Sequence, residues 1–243
     1  MQATHSKLHR RIREELASWQ ASRGNETPLR ELVIIDPPDI EALIRICSDR
    51  KRPPEMRRIA AVVLGRLRAR KAVDMLISNM WEDQPDLALS SGAALGTIRS
   101  RGATGHLLCI LRECPFPASR EAAAMVFKEL KDGRAIGALE RTLLDSSELS
   151  RVRFQAGAAL AGWKPDRTLP AFLKASSDES AEVRYISAYA LGLSGRDDRA
   201  VAALERLASD QGADPSGSTV GEQATEWLDM RSPQKRSRQL RKE

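Results

Sequence analysis

The chain is predicted to be all-α, an α-α superhelix in which about five to six helical hairpins stack in series behind an N-terminal capping helix. Three observations predict it. Apolar residues make up 42% of the 243 residues and recur at helical spacing, while no stretch alternates with the period of two that a half-buried strand requires. Aromatic residues are only 4%, and Ala and Leu are plentiful, which suits closely packed helices. The chain also repeats itself about every 32 residues, as units do when each closes its core only against its neighbours.

The clearest unit runs from Asp178 to Asp210. Val183, Ile186, Ala190, Leu191 and Leu193 form the apolar stripe of a first helix. Gly195 supplies a residue free to take positive φ at its end. Asp197 and Asp198 are placed to accept from the first-turn amides of a second helix, whose stripe is Val201, Ala203, Leu204, Leu207 and Ala208. Going towards the N-terminus, the first-helix anchor Leu191 matches Leu160, Phe127, Leu95 and Leu64, in steps of 31, 33, 32 and 31. The second-helix anchor Leu204 matches Phe172, Leu139, Leu107, Leu76 and Leu43, in steps of 32, 33, 32, 31 and 33. Two independent anchors with one period define the frame.

Three charged ladders ride on it. An acid stands six residues past each second-helix anchor: Asp49, Glu82, Glu113, Asp145, Asp178 and Asp210. An arginine stands seven residues before the first-helix anchor at Arg57, Arg120, Arg153 and Arg184, with Ala88 the exception. A cation stands two residues past the second-helix anchor at Arg45, Arg141, Lys174 and Arg206, interrupted by Ser78 and Cys109. The first two ladders predict a structural role in which pairs such as Asp145–Arg153 and Asp178–Arg184 tie successive units together, each contributing under about 1 kcal/mol if exposed.

The pattern D-x-x-x-x-V-R-x-x-A-x-x-A-L-G followed by G-D-x-x-A-V-x-x-L resembles HEAT repeats, especially the short bacterial kind first associated with phycobilisome lyases. The residues that carry it are Val183-Arg184, Ala190-Leu191-Gly192 and Ala200-Val201, then Val152-Arg153 with Ala159-Leu160, and Ala94-Leu95-Gly96. The third full unit departs, with Phe127-Lys128 in place of Leu-Gly. The resemblance covers roughly Asp39 to Asp210. It implies a HEAT-like solenoid whose second helices line the concave side. The tetratricopeptide and ankyrin patterns are absent.

The expected organisation follows. Residues 1–38 read as a capping helix, with Leu8, Ile12, Leu16 and Trp19 on one face, and a degenerate half-repeat ending at Asp36-Pro37-Pro38-Asp39. Residues 39–210 hold the repeats. Residues 211–230 hold a Gly/Ser/Pro-rich loop and a second capping helix from Val220, with Ala224, Trp227 and Leu228 inward. Residues 231–243 form a basic tail with the composition of a disordered segment.

Composition also narrows function. Residues 1–71 hold 16 Lys and Arg against 9 acids, residues 72–230 hold 17 against 23, and residues 231–243 hold 6 against 1. Basic ends around an acidic middle disfavour a continuous nucleic-acid groove, such as the HEAT-like alkylpurine glycosylases use, and leave nucleic acid only to the ends. The basic runs Arg50-Lys51-Arg52 and Arg66, Arg68, Arg70, Lys71 read as solvated turns. Cys47, Cys109 and Cys114 make no disulfide framework and no zinc spacing, and read as small buried groups of a reducing, cytoplasmic setting. No apolar run reaches membrane-spanning length. His5 and His9 lack a third metal ligand, and His106 stands at a helix start. No His-Glu pairs of the HEAT-repeat di-iron hydroxylases occur. Trp81 and Trp163 are expected at unit junctions, and Tyr185 and Tyr189 on an inter-unit surface.

No catalytic constellation, metal site or cofactor motif emerges, so the expected function is a non-catalytic scaffold or adaptor. Its partner is expected to be another protein with an acidic segment. The partner-binding residues expected on the concave side are Arg45, Arg141, Lys174 and Arg206. The alternative implied by the resemblance is a lyase-type or chaperone subunit, and after it a nucleic-acid-binding HEAT-like protein.

Overall fold

The computed structural model describes residues 39–231 apart from Arg196 and Pro215. The expected capping helix, the half-repeat of residues 28–35, the His5/His9 pair and the basic tail lie outside the described residues. The described chain is all-α. Twelve α-helices follow one another: α1 Ile40–Ser48, α2 Pro54–Arg66, α3 Val73–Asn79, α4 Pro85–Ile98, α5 Thr104–Glu113, α6 Pro117–Leu130, α7 Ile136–Leu144, α8 Ser150–Leu160, α9 Pro165–Ala175, α10 Ala181–Leu193, α11 Asp198–Leu207 and α12 Val220–Arg231. The single β-bridge among the described residues joins Ala213 to Thr219. No described helix is long and apolar enough to cross a membrane.

Residue chemistry sets the helix ends. Proline opens α2, α4 and α9 at its first turn, where the missing amide hydrogen costs nothing. Asp39 caps α1 by accepting from the Glu41 amide, and Asp197 caps α11 by accepting from that of Arg199. At α12, Thr219 Oγ1 accepts from the Glu222 amide while Glu222 accepts from the Thr219 amide, a reciprocal capping box. Four residues past each first-helix anchor, in the turn of the hairpin, stands a residue of positive φ: Arg68, Arg99, Lys131, Lys164 and Gly195. Only the last is glycine, so four hairpins hold a basic side chain in a left-handed conformation that disfavours it.

The described residues form two compact units, one ending at Val126 and the other beginning at Phe127, with the division inside α6. In the first, α2 packs on α4 and α1 on α3, while α1 lies against α2 and α3 against α4. In the second, the first helices α8, α10 and α12 pack in sequence as one layer, and the second helices α7, α9 and α11 as another. The core lies between the layers. Each anchor leucine or phenylalanine of both ladders is at most 1% exposed, which identifies them as the repeating core positions. Val220 and Ala224 of α12 are fully buried, and Trp227 and Leu228 are half-buried. The Trp227 ring covers Gly192, where a Cβ would stand 2.1 Å from a ring carbon. Tyr189 meets that ring edge-on, with centroids 6.0 Å apart.

Candidate partner-binding face

The charged ladders resolve into an internal clamp and an exposed face. The clamp is built on arginine in the first turns of α2, α8 and α10. Arg57 and Arg153 are only 3% and 4% exposed. Arg57 Nε donates to the Cys47 carbonyl at 2.8 Å, and its Nη atoms donate to Glu82 at 2.7 and 3.0 Å and to Asn79 Oδ1 at 3.1 Å. Arg153 Nε donates to the Leu143 carbonyl at 3.0 Å, and its Nη atoms grip Asp178. Arg184 grips Asp210 at 2.6 and 3.0 Å and donates to the carbonyls of Asp178 and Glu179, both at 2.8 Å.

This corrects the expected pairing. Arg153 takes Asp178 rather than Asp145, and Arg184 takes the Asp210 carboxylate, Asp178 offering it only a backbone carbonyl. The two helices of a hairpin are antiparallel, so the start of the first lies beside the end of the second. An arginine there meets the acid that closes its own hairpin, 25 or 26 residues on, and the carbonyl end of the helix before. Asp145 instead accepts from the amide and hydroxyl of Ser147, which hold its carboxyl below the usual range. Glu82 and Asp210 are likewise held low, first by Arg57 and Arg184 respectively.

Two of the three cysteines hold their thiols above the usual range. Cys47 is fully buried, donates to the Arg57 carbonyl and accepts from Asn79, and burial pushes it up to about 11. Cys114 is buried. Cys109 is not, contrary to expectation: it is half-buried on α5 and donates to Glu113, which raises it. His106 is exposed on α5. Among the described residues no three His, Cys, Asp or Glu side chains are grouped to hold a metal ion. Trp163 lies inside a hairpin, between α8 and α9, rather than at a junction, with the Lys131 ammonium 5.7 Å from its ring centroid.

The other ladder points outward. Arg45, Arg141, Lys174 and Arg206 are all exposed. Arg45, in the first unit, lies 3.7 Å from Asp39. In the second unit, Arg141, Lys174 and Arg206 occupy equivalent positions on the neighbouring helices α7, α9 and α11, and none forms an ion pair among the described residues. Five residues before the same anchors the structure exposes a further row that periodicity alone had not singled out: Arg134, Arg167 and Arg199. Its signal was in the chain, but Gly102 breaks it in the preceding hairpin. Arg134 and Arg199 are oriented by Asp132 and Asp197, at 2.6 and 2.9 Å. Arg199 in turn draws Asp197 down to about 2. Such a face can hold carboxylates; it places no nucleophile or acid–base pair.

A model of HEAT repeats matches residues 144–216, the stretch that holds α8 to α11. Among solved structures, the chain is similar to one in the complex of CpcE and CpcF of phycocyanin lyase from Nostoc sp. PCC7120. The identity is 24% and the TM-score 0.56, over 80% of this chain and 74% of that one. No curated protein matches it. Residues 144–216 therefore carry HEAT repeats, and the fold of the described chain is all-α and HEAT-like.

Proposed function

We propose that this HEAT-repeat chain is a non-catalytic adaptor that docks another protein on the exposed face of α7, α9 and α11. One observation carries the reading: Arg141, Lys174 and Arg206 repeat in register on adjacent helices, exposed and without a counter-ion among the described residues. A row of cations that is neither buried nor paired contributes nothing evident to the core, and it suits complementary charge on a partner. Arg45 occupies the same register position in the first unit, where Ser78 and Cys109 interrupt the row.

The test is the folded triple variant R141E/K174E/R206E, compared with the wild type as immobilised bait. Loss of the proteins that the wild type retains, with unchanged circular dichroism, supports the face. Undiminished capture rejects it.

The likeness to the CpcE–CpcF complex supports a second reading, a lyase-type or chaperone subunit that presents a client protein. Mixing the chain with a tetrapyrrole-bearing protein tests that reading directly. Neither a complex nor chromophore transfer would dispose of it.

A further inference from the structure

Three neighbouring second helices of the second unit carry one outward pattern. Two residues before the buried anchor stands a small residue, Gly137, Pro170 or Ala202. It is flanked by Arg134 and Arg141, by Arg167 and Lys174, and by Arg199 and Arg206. The flanking cations are seven residues apart, two helical turns, so they share a face and lie about 10 Å apart along the axis. The small residue falls between them on that face. All six cations are exposed, as are Pro170 and Ala202. Because α7 packs on α9 and α9 on α11, the same step of about 8–10 Å separates the rows across the helices. The result is a grid of cations over a low floor, of which Arg134 and Arg199 are ion-paired with Asp132 and Asp197.

We propose that this grid binds an acidic segment of a partner protein in an extended, polyproline-II-like conformation, laid across the three helices with a carboxylate at every third position. The proposal rests on the adaptor reading and names the chemistry of its partner. Polyproline II returns to the same face every three residues, about 9.3 Å on, which is the helix-to-helix step. A β-strand returns every two residues, about 6.8 Å, and falls out of register with the cations. A docked helix seeks apolar anchor pockets, and this floor of Gly137, Pro170 and Ala202 supplies none. What the floor allows is close approach of an extended backbone. Arg141 and Arg206 offer forked donors to each carboxylate, and Arg134 and Arg199 are already oriented by their aspartates.

Charge also discriminates against a continuous polyanion. Glu140 and Glu205 precede Arg141 and Arg206, and Asp166 and Asp198 precede Arg167 and Arg199. These acids offset part of the positive charge, so a dense polyanion gains less here than from an uninterrupted cationic groove.

The experiment uses the full chain and fluorescein-labelled peptides of one composition, with glutamates at every third or at every second position, in a background of Ala, Ser and Pro. Anisotropy titrations at low salt read the affinities. The third-position peptide is expected to bind most tightly, about tenfold above the other, and R141E/K174E/R206E to weaken it by at least about tenfold. Equal affinity for both spacings, no effect of the variant, or tighter binding of a thymidine dodecamer overturns the proposal. If the third-position peptide fails while the triple variant still loses its captured protein, the peptide chemistry is wrong and the adaptor reading stands. If the variant keeps that protein, the adaptor reading fails as well.

Discussion

Arg57 carries more of the first unit's polar order than any other side chain on α2. It is buried, and its guanidinium is held by a backbone carbonyl, an amide oxygen and both oxygens of Glu82. A buried cation of this kind is stable only while its partners remain. Replacing Glu82 with Gln is therefore expected to destabilise the fold by about 3 kcal/mol at neutral pH, because it leaves the arginine charge uncompensated. The pH dependence has a definite sign. Arg57 first, and then Arg50, hold the Glu82 carboxyl below the usual glutamate range. Its contribution is thus complete above the ordinary glutamate value of about 4.3 and disappears as pH falls through the lower folded value. Urea midpoints at pH 7, 5 and 3 should show a gap between wild type and E82Q that is constant at the first two and narrower at the third. A gap that is undiminished as the pH is lowered further would mean that the carboxylate is not the stabilising group. This arginine ladder was legible as a period in the sequence. Its true partners were not, because spacing along the chain does not say which helix ends lie side by side.

Helices of the second unit meet through surfaces that the residue types anticipate. The first helices α8, α10 and α12 form one layer, and the last contact of that layer is a tryptophan on a glycine. Trp227 lies flat enough on Gly192 that any Cβ there would sit inside the ring. Gly192→Ala is expected to lift α12 from α10 at a cost of about 1–3 kcal/mol, the usual range for overpacking. A lowered Tm together with red-shifted tryptophan emission would show it. An unchanged Tm would mean that α12 is not seated through this contact. The sequence placed Gly192 within an Ala-Leu-Gly motif and Trp227 on a capping helix. It did not show that the two touch, because they are 35 positions apart and belong to no shared period.

For the whole molecule, the consequence of serial packing is local cooperativity. Each repeat closes its core against its neighbours, so damage at one end is felt mostly nearby. Leu204 is fully buried, and Leu204→Ala is expected to cost about 2–5 kcal/mol. Amide hydrogen exchange should then quicken in α11 and α12, while α2 to α4 keep their protection. Uniform acceleration through both units would instead reveal a single cooperative fold. The proposed docking face follows the same logic, since its cations come from three separate hairpins and align only when those hairpins stack.

The sequence by itself determined the class of fold, the period and the buried anchors, because burying apolar surface selects positions that recur with the helix and with the hairpin. It also displayed the cations two residues beyond each second-helix anchor, as solvated positions in register. Tertiary structure alone decided two matters. It chose which acid each clamp arginine holds, since antiparallel helices bring the start of one beside the end of the other. It also brought Arg134, Arg167 and Arg199 onto one surface with Arg141, Lys174 and Arg206, since a shared face depends on how neighbouring helices pack and not on any single stretch of chain.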